Sequence, residues 1–246
     1  MNIRLFATIE EAERYDLSRS TAVVIDVLRF SSAVVAALEA GASEIIPVED
    51  IETATRLVDG GKRKTKLLAG EQKGLPIEGF DLFNSPTEFT REVVGGKTLV
   101  MTTSNGSRGI LLASRAARTV VCSIINLSGV ADALSGEDHV SIICCGSEGM
   151  LALEDLYCGG LLMRKLGVEA GSDEPNDSGR LALLLSRDGG RDTLGSLSMS
   201  DRGRELEKAG YHKDVVYCSK SDSSSIVPVL EEGALRPLHS STKEAP

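Results

Sequence analysis

The chain has 246 residues, of which 41% are hydrophobic and 26% are charged, and these values are ordinary for a globular protein. Its 27 basic and 36 acidic residues give a net charge of −9, which argues against binding to nucleic acid through charge. No apolar run approaches the roughly 20 residues that span a bilayer. The five cysteines form no CxxC pair, and several lie in apolar runs and are interpreted as buried and reduced. We therefore predict a cytoplasmic protein with no nucleic-acid or membrane partner.

Segments typical of strands and helices alternate along the chain. In chain order we predict a strand at residues 23–28, a helix at 32–40, a strand at 43–48, a helix at 51–58 and a short strand at 66–69. After a loop at 70–86, we predict a strand at 98–102, a helix after Asn105, a strand at 119–123, a helix at 127–134, a strand at 140–145, a helix at 153–165 and a last strand at 214–218.

This alternation is typical of βαβ units and predicts an α/β fold, with three α/β/α layers around a mainly parallel or mixed sheet. We expect residues 1–246 to form a single domain. The polar helical segment around residues 172–210 is a candidate cap, and the apolar stretch at 181–187 is a candidate contact in a homodimer.

Three strand-to-helix junctions carry small polar residues: DVLRFSS at 26–32, VMTTSNGSRG at 100–109 and ICCGSEGMLALED at 143–155. Open parallel sheets bind ligands beyond the carboxyl ends of their strands, and the free N–H groups at a helix start attract anions. The candidate anion-binding residues are therefore Ser31, Ser32, Thr102, Thr103, Asn105, Gly106 and Gly146. Helix capping alone is the alternative interpretation of each junction.

Acidic and basic side chains accompany these junctions. Asp26 interrupts a β-branched apolar run, where an unpaired charge costs several kcal/mol, so it needs a cation or a proton. Arg29 can hold two oxygens of a phosphate or carboxylate, or it can be a structural partner of Asp26. Glu71, Glu154 and Asp155 are further candidates, and carboxylates that converge beside hydroxyls and an arginine suit Mg²⁺.

Several known catalytic patterns are absent from the sequence. The chain has no GxxxxGK[ST] loop and no GxGxxG between a strand and a helix, which argues against a nucleotide-dependent transferase and a dinucleotide enzyme. The three histidines lie far from one another and from the junctions, which argues against a zinc site or a histidine-based triad.

Four blocks in order resemble the 2-phosphosulfolactate phosphatase family of coenzyme M biosynthesis: VVIDVLRFSSAVVAALEAGA, LLAGEQKGLPIEGFDLFNSPTEF, GKTLVMTTSNGSRGI and ICCGSEGMLALEDLYCGGLL. This resemblance implies a layered α/β/α enzyme that uses Mg²⁺ to hydrolyse the phosphate ester of a 2-hydroxy acid carrying a sulfonate. It also implies that Asn84 and Ser85, from the GFDLFNSP stretch, bind substrate. Phe30, the Ser31–Ser32 pair and Ser104 depart from the family pattern, and they leave the exact substrate open.

The resulting hypothesis is Mg²⁺-dependent hydrolysis of 2-phosphosulfolactate to sulfolactate and phosphate. Mg²⁺ is assigned to Glu71 and Asp155, with Glu154 as a replacement ligand. Asp26 is a metal ligand, a base or a nucleophile, and Arg29 holds the phosphate or carboxylate of the substrate. The alternatives are a phosphatase of another small phospho-acid, such as 2-phospholactate, and a non-catalytic anion-binding module.

Overall fold

The computed structural model describes residues 1–58, 65–171 and 175–238. The first half contains β1 (Asn2–Phe6), α1 (Ile9–Ala12), β2 (Thr21–Ile25), α2 (Phe30–Glu39), β3 (Glu44–Pro47), α3 (Ile51–Val58), β4 (Lys66–Gln72), β5 (Leu75–Pro76), α4 (Arg91–Val94), β6 (Thr98–Thr102) and α5 (Gly106–Ala113). The second half contains β7 (Arg118–Cys122), α6 (Leu127–Ala133), β8 (His139–Cys144), α7 (Leu153–Lys165), α8 (Asp177–Leu185), α9 (Thr193–Ser198), α10 (Asp201–Lys208), α11 (His212–Cys218), β9 (Pro228–Glu231) and β10 (Ala234–Pro237).

The ten strands of the described residues form one mixed sheet in the order β1-β8-β2-β7-β9-β10-β3-β6-β4-β5. One parallel group consists of β1, β8, β2 and β7, and the other consists of β3, β6 and β4. The β9–β10 hairpin joins the two groups and pairs antiparallel with β7 on one side and β3 on the other. The predicted α/β class with a mixed sheet is confirmed.

Side chains of the central strands point alternately into two apolar cores. Val23 and Ile25 of β2 lie in a core with α6 and α7, whereas Val24 lies in a second core with α2 and α5. That second core also takes Ile45 of β3 and Met101 of β6. Both parallel groups therefore contribute side chains to the core around α2 and α5.

Most of the predicted elements are confirmed to within three residues, and the predicted helices at 51–58 and 153–165 have the bounds of α3 and α7. The predicted strand at 214–218 is wrong, because this segment belongs to α11. Its adjacent β-branched residues favoured a strand, but Asp214, Val215 and Cys218 are buried at positions that share one helical face. The β9–β10 hairpin lies in a segment where we predicted no strand.

The candidate cap around residues 172–210 is helical in its described part, and residues 172–174 lie outside that part. Its first helix, α8, packs along α7, and α10 packs against α9 and α11. Leu181 and Leu184 of α8 are 49% and 43% exposed, and the homodimer stays a prediction, as does the single domain.

All five cysteines are buried and form no disulfide, which confirms the prediction made for several of them. Over residues 1–58, 65–171 and 175–238, no helix combines the length and the apolar character needed to cross a bilayer.

Candidate active site

One cleft of about 540 Å³ lies where β2, β4, β6 and β8 end, and it therefore collects strand ends from both parallel groups. All three junctions contribute to its lining. The predicted residues that line it are Asp26, Arg29, Glu71, Asn84, Thr103, Asn105, Gly146, Glu154 and Asp155. Another cavity, of about 370 Å³ at the amino ends of β1 and β8, contains none of the predicted residues.

Asp26 follows β2 directly and is buried in the wall of the cleft. Its Oδ1 accepts a hydrogen bond of 3.2 Å from the N–H of Phe30, at the start of α2. Burial raises the pKa of Asp26 to about 7, although the Phe30 N–H lowers it. The charges of Glu71 and Glu154 also raise this pKa, and that of Arg202 lowers it. A carboxyl that titrates near neutral pH can exchange protons with a substrate or water.

Asp155 connects two of the junctions. Its Oδ1 accepts a hydrogen bond of 2.8 Å from the Val27 N–H, after β2, and its Oδ2 accepts one of 3.1 Å from the Gly146 N–H, after β8. Gly146 has a φ of +66°, which favours glycine at this turn. Burial raises the pKa of Asp155, and the charges of Glu154 and Asp26 raise it further. Both oxygens of Asp155 therefore hold the backbone of the cleft.

Glu71, at the end of β4, connects the β4–β5 turn to the second junction. Its Oε1 accepts a hydrogen bond of 2.7 Å from the Ser104 N–H, and its Oε2 accepts bonds from the Gly74 N–H and the Ser104 hydroxyl. Glu71 is buried, and these donors satisfy both of its carboxylate oxygens.

Glu154 precedes Asp155 in the first turn of α7 and is also buried. Burial raises the pKa of Glu154, while the first-turn N–H group of its own residue, the Ser200 hydroxyl and the Arg202 guanidinium lower it. Both adjacent acids reach the cleft, although neighbouring helical positions diverge by about 100°. They do so because Asp155 points to the strand ends and Glu154 towards α10.

The four buried acids of the cleft offer hard oxygen donors, which is the donor type that Mg²⁺ prefers. In the part of the chain that the structure describes, no three His, Cys, Asp or Glu side chains are grouped so as to hold a metal ion. The predicted set of Glu71, Asp155 and Glu154 thus shares the cleft without forming such a group. Mg²⁺ takes only one or two protein carboxylates beside waters and phosphate oxygens, so the donor chemistry of the cleft fits this ion without a group of three.

Arg29 borders the cleft, but its guanidinium is turned into the protein and its side chain is 0% exposed. Nη1 forms an ion pair with Asp214 of α11, and Nη2 donates a hydrogen bond of 2.9 Å to Asn84 Oδ1. The rings of Phe83 and Tyr211 lie 4.1 and 4.8 Å from the guanidinium carbon. In this conformation Arg29 connects the first junction to α11 through both of its terminal nitrogens, and its Nε is buried without a hydrogen-bond partner.

Five predicted substrate-binding residues do not line the cleft: Ser31, Ser32, Ser85, Thr102 and Gly106. The hydroxyls of Ser31 and Ser32 bond to the backbone of the first junction at 2.9 and 2.8 Å, and Ser85 donates to Asp214 at 2.6 Å. A Cβ on Gly106 would lie 2.2 Å from the ring of Phe30, so this glycine allows α5 to pack on α2.

Three cations of the cleft were not predicted from the sequence: Lys73, Arg108 and Arg202. The first two lie beside predicted residues, in GEQK and SNGSR, so proximity to those motifs could have indicated them. Arg202 lies in the polar helical segment, far along the chain from every junction. Only the packing of α10 brings it to the cleft, and no local sequence signal indicates this.

A family model described as 2-phosphosulpholactate phosphatase matches residues 6–233. The chain belongs to this family. A relative from Caldanaerobacter subterraneus subsp. tengcongensis is 34% identical over 96% of this chain and 98% of its own length. A relative from Caldicellulosiruptor saccharolyticus is 39% identical over 90% of this chain and 93% of its own length. Both are named "Probable 2-phosphosulfolactate phosphatase", and the predicted family is therefore confirmed, with its class of phosphoric monoester hydrolases.

Proposed function

We propose that this enzyme hydrolyses 2-phosphosulfolactate to sulfolactate and inorganic phosphate, and that it requires Mg²⁺. The observation that carries the proposal is the single cleft in which buried acids from three separate parts of the chain meet three cations. Such a mixture suits a substrate with several anionic groups next to a divalent cation. The names of the relatives support the choice of substrate.

In this proposal Asp26 accepts the proton of the attacking water. A pKa near 7 leaves much of the carboxyl ionised at neutral pH while keeping it basic enough to take a proton. The Phe30 N–H holds one oxygen in place, so the other oxygen is the one that faces the water. A role for Asp26 as metal ligand or nucleophile is the alternative, as it was from the sequence.

Glu154 is the carboxylate that we assign to Mg²⁺. Glu71 and Asp155 use both oxygens to hold turns and strand ends of the cleft, whereas Glu154 accepts from its own helix start and from the Ser200 hydroxyl. When bound, Mg²⁺ supplies positive charge at the phosphoryl oxygens and lowers the pKa of its water. Lys73, Arg108 and Arg202 neutralise the remaining negative charge of the substrate. Asp155 holds the first and third junctions together through its two hydrogen bonds.

The test is phosphate release from 2-phosphosulfolactate and from 2-phospholactate, measured with excess Mg²⁺, after exhaustive EDTA treatment, and after Mg²⁺ is added back. We expect faster turnover of 2-phosphosulfolactate, its loss in EDTA and its recovery with Mg²⁺. Faster turnover of 2-phospholactate would make that compound the preferred substrate. Full activity in EDTA would exclude a requirement for Mg²⁺. Absence of phosphate release from both compounds would overturn the proposal.

A separate variant tests the assignment of Mg²⁺ to Glu154. Glu154→Gln should raise the Mg²⁺ concentration needed for half-maximal activity by at least about tenfold, because a neutral amide is a poorer ligand than a carboxylate. The matched control is Glu52→Gln, an exposed residue of α3 outside the cleft, which should leave the Mg²⁺ requirement unchanged.

A further inference from the structure

Arg202 reaches the cleft from a different part of the molecule than the acids. It is the second residue of α10, and its side chain is 21% exposed. Its guanidinium lies against the β4–β5 turn, since a Cβ on Gly74 would be only 2.7 Å from Nη1. The side chain therefore extends from the helical segment to the turn that Glu71 holds in place.

Arg202 shares the cleft with the acids that our proposal makes reactive. Its side chain lines the same cleft as Asp26 and Glu154, the two carboxyls that our proposal gives to water activation and Mg²⁺. A bound anion close to this guanidinium is thus also close to the reacting centre.

The present partner of Arg202 can be exchanged for a ligand. Its Nη1 pairs at 3.1 Å with Glu205, whose side chain is 66% exposed, and ion pairs of this kind on one helix contribute little. Arg29 differs in this respect, because its partner Asp214 is 2% exposed and its own side chain is fully covered. Arg202 can therefore turn its donors to a ligand at small cost, whereas Arg29 cannot without breaking a buried pair.

We infer that Arg202 binds the second anionic group of the substrate, a carboxylate or sulfonate beside the phosphate ester, and makes the enzyme selective for phospho-acids. The planar guanidinium places two N–H groups on two oxygens of such a group, which a lysine does not do. This inference rests on the proposed function and adds to it the residue that distinguishes the substrate class.

The test compares kcat/KM for three substrates: 2-phosphosulfolactate, 2-phospholactate and p-nitrophenyl phosphate, which carries no second anion. Arg202→Gln should lower kcat/KM for the phospho-acids by about 100-fold, mainly through KM, because a charge-assisted pair is lost. The loss for p-nitrophenyl phosphate should be at least tenfold smaller. Arg202→Lys keeps the positive charge but loses the paired N–H donors of the guanidinium, so its loss of kcat/KM should be intermediate.

Arg204→Gln is the matched control, because Arg204 lies on the same helix, is exposed and does not line the cleft. This variant removes the same charge and should leave kcat/KM unchanged for all three substrates. A loss confined to 2-phosphosulfolactate would support the inference with the sulfonate as the bound group, and equal losses for both phospho-acids would support it with the carboxylate.

Equal losses for all three substrates, or no loss in a variant that melts like the wild type, would overturn the inference. Should Arg202→Gln fail to fold, the same comparison is made with Arg202→Lys, for which equal losses on all substrates have the same meaning. A wild-type enzyme that releases no phosphate from either phospho-acid would instead overturn the proposed function, so the two failures are distinguishable.

Discussion

At the scale of single residues, Asp26 is a buried carboxyl whose hydrogen-bond donor is a neutral N–H group. Arg29 is three residues away but pairs with Asp214, so it does not compensate the charge of Asp26. A buried carboxyl in this state is unfavourable for stability, and such groups are typical of sites that bind a ligand or move protons. The loss of stability that results from burying Asp26 is consistent with a chemical role.

Replacement of Asp26 tests that role. Asp26→Asn keeps the shape of the side chain and an oxygen that can accept the Phe30 N–H, but the amide cannot take a proton from water. We expect kcat for 2-phosphosulfolactate to fall by about 10³-fold, within the range for loss of a general base. The measurement is steady-state phosphate release at saturating Mg²⁺.

The control for Asp26 is Asp132→Asn, which makes the same change on an exposed residue of α6. Its kcat should match the wild type. Near wild-type kcat in a folded Asp26→Asn variant would exclude Asp26 from the chemical step.

At the scale of secondary-structure elements, α11 is held to the first junction by the buried pair of Arg29 and Asp214. The two residues are 185 positions apart in the chain, and the pair is supported by Asn84 on the arginine and by Ser85 and Thr87 on the aspartate. This network fixes the turn that carries Asp26, because Arg29 is the residue from which α2 starts.

Loss of charge on one side of this pair should destabilise the protein. Asp214→Asn leaves a buried guanidinium without its counter-charge, so the free energy of unfolding should fall by about 3 kcal/mol. Urea denaturation measures the change. Asp177→Asn, in the exposed pair of Asp177 and Arg180, is the matched control and should give no measurable change. Equal stability of both variants would mean that the buried pair does not hold α11.

At the scale of the whole molecule, the protein has a net charge of −9 and collects four buried acids in one cleft. Burial raises the pKa of Asp26, Glu154 and Asp155, and the charges of nearby acids raise the pKa of Asp26 and Asp155 further. In the absence of metal the native state therefore releases the protons of these carboxyls at a higher pH than the unfolded chain does. The helical segment counteracts part of this effect by bringing Arg202 to the cleft.

This protonation makes stability depend on pH. For Asp26 the pKa rises from 3.8 in the unfolded chain to about 7 in the folded protein, so in EDTA its contribution is fully present below pH 4 and is lost as the pH rises through 7. The loss is at most about 4 kcal/mol. Urea denaturation from pH 5 to 8 should show a smaller decline for Asp26→Asn than for the wild type. Identical declines would contradict a raised pKa of Asp26.

By itself, the sequence determined the α/β class, most element positions, the family and the four buried acids of the cleft as candidates. These depend on local periodicity and on motifs whose residues are close in the chain, such as the strand that ends at Asp26. The tertiary structure decided which side chains line the cleft. Arg29 turns away to a partner 185 residues distant, and Arg202 reaches the cleft only because α10 packs there. It also decided that 214–218 is helical, because burial of one helical face outweighs the local β-preference of its residues.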